Sequence, residues 1–358
     1  PKDVTKLLPR KLNTAVCAAF YDTGVSFEPE TAAPGTKLRV KYRYTGVPAA
    51  EAESLFKQGN YLGARAYYKQ LLVLKRSHYT QALIGYLETA ARLNDYTDIE
   101  QYVQLAREQG GGTLPSAVSY VYGKWLFKRS DLPLAERAKR ANEILNAARN
   151  DTNDGDSRMR VGYLLGVVQV QQGNYDEANE AFLRVIQNPS GTKRGQSIAE
   201  LAYLARGRIA YEQGRYPQAI EAYQSIDRKS DNFVAALYEV AWVYVKKGEF
   251  DRALRATDLL VEMAPDNVIA PEARILQGHL LLKLHKYNEA SETYKRVINE
   301  YAPVRDEVDA LLKLHADPVQ YFDDLLAQND KDFNITSLLP AAAAKWATTQ
   351  QEVANALQ

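Results

Sequence analysis

Apolar residues in the middle of the chain recur every three or four positions, which places them on one face of a helix. Leu237, Val240, Ala241 and Tyr244 form one such stripe, and Ala253, Leu254, Leu260 and Val261 form another beyond a polar break at Gly248. Pro265 closes the second stripe. The pattern predicts two helices joined by a tight turn, the glycine taking the positive φ that ends the first. The same break returns along the chain. It reads Gly59-Asn60-Tyr61 before Ala64, Gly173-Asn174-Tyr175 before Ala178 and Gly214-Arg215-Tyr216 before Ala219. Gly248-Glu249-Phe250 before Ala253 and His285-Lys286-Tyr287 before Ala290 continue it. Asn94-Asp95-Tyr96 and Ser130-Asp131-Leu132 are weaker copies. The positions 61, 96, 132, 175, 216, 250 and 287 are spaced by 35, 36, 43, 41, 34 and 37 residues, a unit of 34 with loop insertions. A lone helix pair cannot bury its apolar face, so such units must stack.

The residues at each break resemble the tetratricopeptide repeat family, whose pattern is W-x2-L-G-x2-Y…A-x3-F…P. Residues 159–189 carry Leu165-Gly166, Tyr175, Ala178, Phe182 and Pro189. Residues 200–231 carry Tyr203, Gly207, Tyr216, Ala219 and Tyr223, and residues 271–303 carry Gly278, Leu281, Tyr287, Ala290, Tyr294 and Pro303. With 234–265 these make four consecutive units, and Gly59–Leu72 adds an earlier one. Leu87 stands where the second unit needs a small residue, and Asp131-Leu132-Pro133 alters the third turn, so stacking there should be less regular. The resemblance implies an all-α, right-handed solenoid of six or seven helix pairs over residues 48–303. The Tyr and Phe residues of each unit are expected to fill the wedge between its helices. Asn150–Ser157, Pro189–Gln196 and Gln109–Pro115 read as inserted loops that protrude on one edge.

Both ends depart from the repeat. In residues 1–47 the stretch Lys37, Arg39, Lys41, Arg43 alternates with Leu38, Val40, Tyr42 and Tyr44, a β-strand pattern. Such a strand either adds to a partner's sheet or belongs to a small local sheet whose basic residues guard its edge. Residues 304–358 read as further helices, and a stack of repeats needs a cap over its last apolar face.

Composition narrows the classes. The 45 basic and 44 acidic side chains give no polybasic surface for nucleic acid. Their balance conceals a net +4 up to Gly46 and −3 thereafter. The single cysteine, Cys17, excludes an internal disulfide and a multi-cysteine zinc site. No apolar stretch approaches the roughly 18 residues of a membrane span. Phosphate-loop, dinucleotide and nucleophile-elbow motifs are missing. The four histidines lack metal spacing, and Asp151–Asp156 lacks a calcium loop's glycine and has Gly162 where its glutamate belongs. No catalytic residue, metal or cofactor is expected.

The resemblance supplies a different site. In the family the first helix of each pair lines a concave groove, which here implies Arg160, Tyr163 and Gln171, then Arg208 and Tyr211. The next two units contribute Tyr238, Trp242 and Lys246, then His279 and Lys283. Tyr163 and Val167 occupy the places of a carboxylate clamp, so that subtype is not supported. Aromatic and basic groups in one groove suit an acidic peptide or helix. The implied function is a non-catalytic scaffold that holds partner proteins within a larger assembly. The alternatives are a peptide- or glycan-binding regulatory subunit, or an enzyme with an unfamiliar site in 304–358. Scarce Cys and Met and a start at Pro1 resemble bacterial envelope members of the family, including those of secretion and gliding-motility machineries. That implies the periplasm or cell envelope rather than the cytoplasm.

Overall fold

A computed structural model describes residues 47–74, 79–151, 153–314, 317 and 339–347. The strand expected at 37–44, with Lys37, Arg39, Lys41 and Arg43, lies outside the described residues, as do residues 318–338 of the helical C-terminal region. Within the described residues every regular element is an α-helix. The chain divides into two compact units, residues 1–89 and 90–358.

In the first unit, α1 (Val47–Lys57) and α2 (Tyr61–Leu74) pack as an antiparallel pair, and α3 (Tyr79–Leu93) starts there and runs across the division. Ala52 and Ala64 are fully buried between the pair, and the Tyr68 ring lies where a Cβ on Gly85 would point. The glycine lets α3 approach α2 through an aromatic ring.

In the second unit the helices are α4 (Ile99–Gln109), α5 (Ser116–Lys128), α6 (Leu134–Ala148), α7 (Gly155–Gln171), α8 (Tyr175–Gln187) and α9 (Lys193–Glu212). They continue as α10 (Tyr216–Gln224), α11 (Phe233–Lys246), α12 (Phe250–Met263), α13 (Ala270–Lys283), α14 (Tyr287–Leu314) and α15 (Ala341–Ala347). Each first helix packs on its own second helix and on the pair before it: α7 meets α5, α6 and α8, and α9 meets α7, α8 and α10. The core is therefore a series of overlapping layers. Met159, Ala178 and Phe182 form one, and Tyr223, Ala241 and Leu260 belong to the next.

One turn geometry repeats. Gly59, Asn94, Gly173, Gly214, Gly248 and His285 all have positive φ. In each case the next residue donates its N–H to the carbonyl five positions back. Examples are Asn174 to Gln169 at 3.0 Å, Arg215 to Ala210 at 2.7 Å and Lys286 to Leu281 at 2.9 Å. This is a Schellman cap, which satisfies carbonyls that the helix end would otherwise leave open. The third turn differs, as its sequence implied: Arg129 has φ −58, and Arg137 donates to its carbonyl at 3.1 Å.

Small residues set how closely the helices approach. A Cβ on Gly207 would lie 2.6 Å from the Tyr223 ring, and Gly166 and Gly278 stand in the same relation to Phe182 and Tyr294. In the remaining pair Ala241 and Thr257, both fully buried, take the two places.

Two features differ from the sequence pattern. Tyr287 does not fill a wedge: it is 61% exposed, and its hydroxyl meets His285 Nδ1 at 2.9 Å in the turn. The chain also does not leave its helix at Pro303. α14 runs through it to Leu314, so a boundary between 303 and 304 falls inside a helix. Beyond its first two turns, where Ala290 and Thr293 are buried, α14 has no fully buried residue. Ala344 of α15, which packs on α14, is buried. No helix among the described residues is long and apolar enough to cross a membrane.

Candidate functional site

The first helices α7, α9, α11 and α13 carry the side chains that the sequence placed in a groove. The structure joins several of them across repeats. The Arg160 guanidinium stacks 4.6 Å from the Tyr120 ring centroid, linking α7 to α5, and donates to Ser157 Oγ at 2.9 Å. Tyr163 leans on Phe182 at 5.4 Å between ring centroids; burial raises its phenol above the ordinary value, while the charge of Arg208 acts in the opposite sense. Arg208 Nε lies 3.1 and 2.9 Å from the two Glu239 oxygens, joining α9 to α11. The Tyr238 hydroxyl donates to Glu272 at 3.2 Å, joining α11 to α13. Arg160, Arg208 and Tyr238 are thus engaged in holding neighbouring repeats together, and Tyr163 in packing its own helix pair. Tyr211 packs on Tyr216 at 6.1 Å, also within the stack.

The remaining predicted positions face outward. Gln171, Lys246 and Lys283 are exposed, and His279 is exposed with its Nδ1 2.9 Å from the Tyr294 hydroxyl. Trp242 stands edge-on to Tyr238 and is 39% exposed. On α13, Ile275 and Leu282 share its exposure, at 41% each, and lie on the same helix face as His279. Trp242, Ile275 and Leu282 thus offer apolar surface, with Lys246 and Lys283 at the ends of the two helices.

Sequence reasoning missed Ile275, Leu282, Glu239, Glu272 and Lys124. Ile275 and Leu282 read as ordinary core residues in a helix that is apolar on most sides, and only stacking shows which of its apolar positions remain uncovered. Glu239 and Glu272 read as solvated charges. Lys124 on α5 is held below the ordinary lysine value, by burial first and then by Lys128, Arg92 and Arg160.

Stacked helix pairs whose first helices share one face define a helical-repeat solenoid. Family models for the tetratricopeptide repeat match residues 49–113 and 163–233, and a second such model matches 210–270. The chain belongs to the tetratricopeptide repeat family. It is 32% identical over 133 residues to DnaJ homolog subfamily C member 3 of Gallus gallus, a match covering 36% of this chain and 24% of that protein. The chain spans about a quarter of the length of the curated relatives it matches. Among solved structures it resembles the apo form of RapI, with TM-score 0.58 and 12% identity over 87% of this chain and 92% of that one. It also resembles the Cut9–Hcn1 hetero-tetramer of APC/C, with TM-score 0.52 and 16% identity over 66% of this chain and 42% of that one. At these identities the likeness is one of fold.

Proposed function

We propose that this protein is a non-catalytic adaptor that seats a segment of a partner protein on its first-helix face, within a larger assembly. The observation that carries this reading is the part-exposed apolar set Trp242, Ile275 and Leu282, with Lys246 and Lys283 beside it. Aromatic and aliphatic anchors next to flexible cations suit a helix or extended segment with apolar anchors and acidic flanks. The cations around Lys124 extend the preference for acidic character to the earlier repeats.

The test is an affinity capture with the intact chain, its partners identified by mass spectrometry, alongside the double variant Trp242→Asp, Ile275→Asp. Partners held in the groove are lost from the variant while its helical circular dichroism is retained. Capture of the same partners at the same yield rejects the groove as their site.

A further inference from the structure

The connections before α7 and before α9 exceed the repeat's own length, and residues of both line one cavity. It has a volume of about 460 Å3, is open to solvent on one side and is lined by residues of α6, α7 and α8. Its floor is the α7 face carrying Met159, Gly162 and Leu165. Around α7 Arg160 lies about 160° and Tyr163 about 100° from Gly162, at about 100° per residue. None of the residues expected in the groove lines this cavity.

Two observations distinguish this cavity from the crevices above the other first helices. The first is the glycine at position 162. At the same place relative to the turn aromatic, α9, α11 and α13 carry Tyr203, Leu237 and Arg274. Glycine is unfavourable inside a helix, and here it lets the second helix of the pair come close to α7 at the edge of the cavity. Val185 crosses beside it, its Cγ2 2.8 Å from where a Cβ would stand.

The second is uncompensated charge. Arg149 and Arg158 line the cavity, and among the described residues neither forms an ion pair. Arg149 donates to Asn146 Oδ1 at 3.3 Å and Arg158 to the Asn188 carbonyl at 3.3 Å, both neutral acceptors. Arg184, also on the wall, is paired with Glu180 at 3.3 Å. Glu177 lines the cavity from the first turn of α8, the far end of that helix from Arg184. The cavity is thus basic at the loop end, acidic at the other and apolar along its floor. Its volume falls in the range of small-ligand sites, and a guanidinium group matches the planar geometry of a carboxylate.

We propose that this cavity binds a carboxylate carried on a compact apolar body. The Arg149 and Arg158 guanidinium groups take the carboxylate, and the apolar floor of Met159, Gly162 and Leu165 takes the body. The same chemistry is presented by a free organic acid and by the acidic end of a polypeptide.

Calorimetric titration of the full chain with phenylbutyrate, with its uncharged amide, and with a short peptide ending in Phe-Glu tests this. Saturable binding of the acid and none of the amide is the expected result. The variant Arg149→Gln, Arg158→Gln should bind roughly tenfold more weakly or not at all, since a charge-assisted pair is lost. Gly162→Leu, which reproduces Leu237 of a later repeat, should abolish binding with the circular dichroism unchanged. If Gly162→Leu does not fold, the arginine variant decides alone. Binding of the peptide without the free acid identifies a polypeptide as the source, and binding of the free acid identifies a small molecule. Equal binding of acid and amide, unchanged affinity in the arginine variant, or no binding by any of the three probes overturns the proposal.

Discussion

The Arg208 guanidinium forks onto the Glu239 carboxylate, with Nε 2.9 and 3.1 Å from the two oxygens, and so ties the first helices of consecutive repeats. Arg208 is 57% exposed and Glu239 21% exposed, so solvent screens much of the attraction. Glu239→Gln keeps an acceptor and removes the charge, and should cost about 1 kcal/mol in urea unfolding at low salt. That cost should shrink in high salt. A salt-independent loss would show that Glu239 acts through packing instead.

Gly207 is held small by Tyr223. In an open helix Gly→Ala gains about 1 kcal/mol, but here the new Cβ lies 2.6 Å from a ring that is only 3% exposed. Gly207→Ala should therefore destabilise the protein by about 1–3 kcal/mol. Gly278→Ala should cost less, because the half-buried Tyr294 has room to swing away. Chemical denaturation of the two variants side by side measures the difference.

His285 sits at φ 59 where four other repeats have glycine. A non-glycine residue in that region costs about 1–2 kcal/mol. The exposed hydrogen bond to Tyr287 offsets little of this. His285→Gly should raise stability by about 0.5–1 kcal/mol after the larger entropy of glycine in the unfolded chain is counted. A lower melting temperature would contradict this account of the turn.

Buried phenols predict alkaline lability. Burial, with smaller contributions from neighbouring negative charges, pushes Tyr68 up to about 12. Burial with Tyr120 nearby pushes Tyr96 to about 12, and burial with Glu239 raises Tyr223 further. A raised folded pKa means that the contribution is complete below the unfolded value of about 10 and is lost as the pH rises through the folded value. The melting temperature should hold up to about pH 10 and fall above it, in step with phenolate absorbance. Tyr223→Phe should reduce the slope.

Asp156 predicts the opposite limb. Burial pushes its carboxyl up, but hydrogen bonds from Ser190 and Thr192, the latter at 2.6 Å, with Arg194 and Arg160 nearby, hold it below the ordinary value. A depressed pKa contributes stability above about pH 4 that is lost as the pH falls through the folded value. Thr192 also caps α9 through the Gly195 N–H at 2.9 Å, so Asp156 holds the α8–α9 loop in place. Asp156→Asn should flatten the acid limb of a pH–stability curve and speed hydrogen exchange at residues 188–195.

The repeat was legible wherever local chemistry enforces it. Six turns must place a residue at positive φ, so Gly59, Gly173, Gly214 and Gly248 mark them, with Asn94 and His285 as tolerated substitutes. Gly166, Gly207 and Gly278 mark close approaches at a constant distance from their rings. The departures at Tyr287 and Pro303 were not legible. A tyrosine after a turn fits a wedge or a surface equally well, and a proline in sequence does not reveal that the helix continues past it.

The groove residues divide along the same line. The resemblance to the tetratricopeptide repeat family, mapped onto the repeat spacing, implied that Arg160, Tyr163, Gln171, Arg208, Tyr211, Tyr238, Trp242, Lys246, His279 and Lys283 share the first-helix face. Periodicity fixes angular position on a helix, and that much is a property of the chain. Whether a side chain there meets a partner or a neighbouring repeat depends on what the next helix presents opposite it. Glu239 claims Arg208, Glu272 claims Tyr238 and Tyr120 claims Arg160, while Trp242, Ile275 and Leu282 keep part of their surface open. Contacts between repeats join residues some 30 to 40 positions apart, beyond the reach of any helical period, and only the stacked structure decides them.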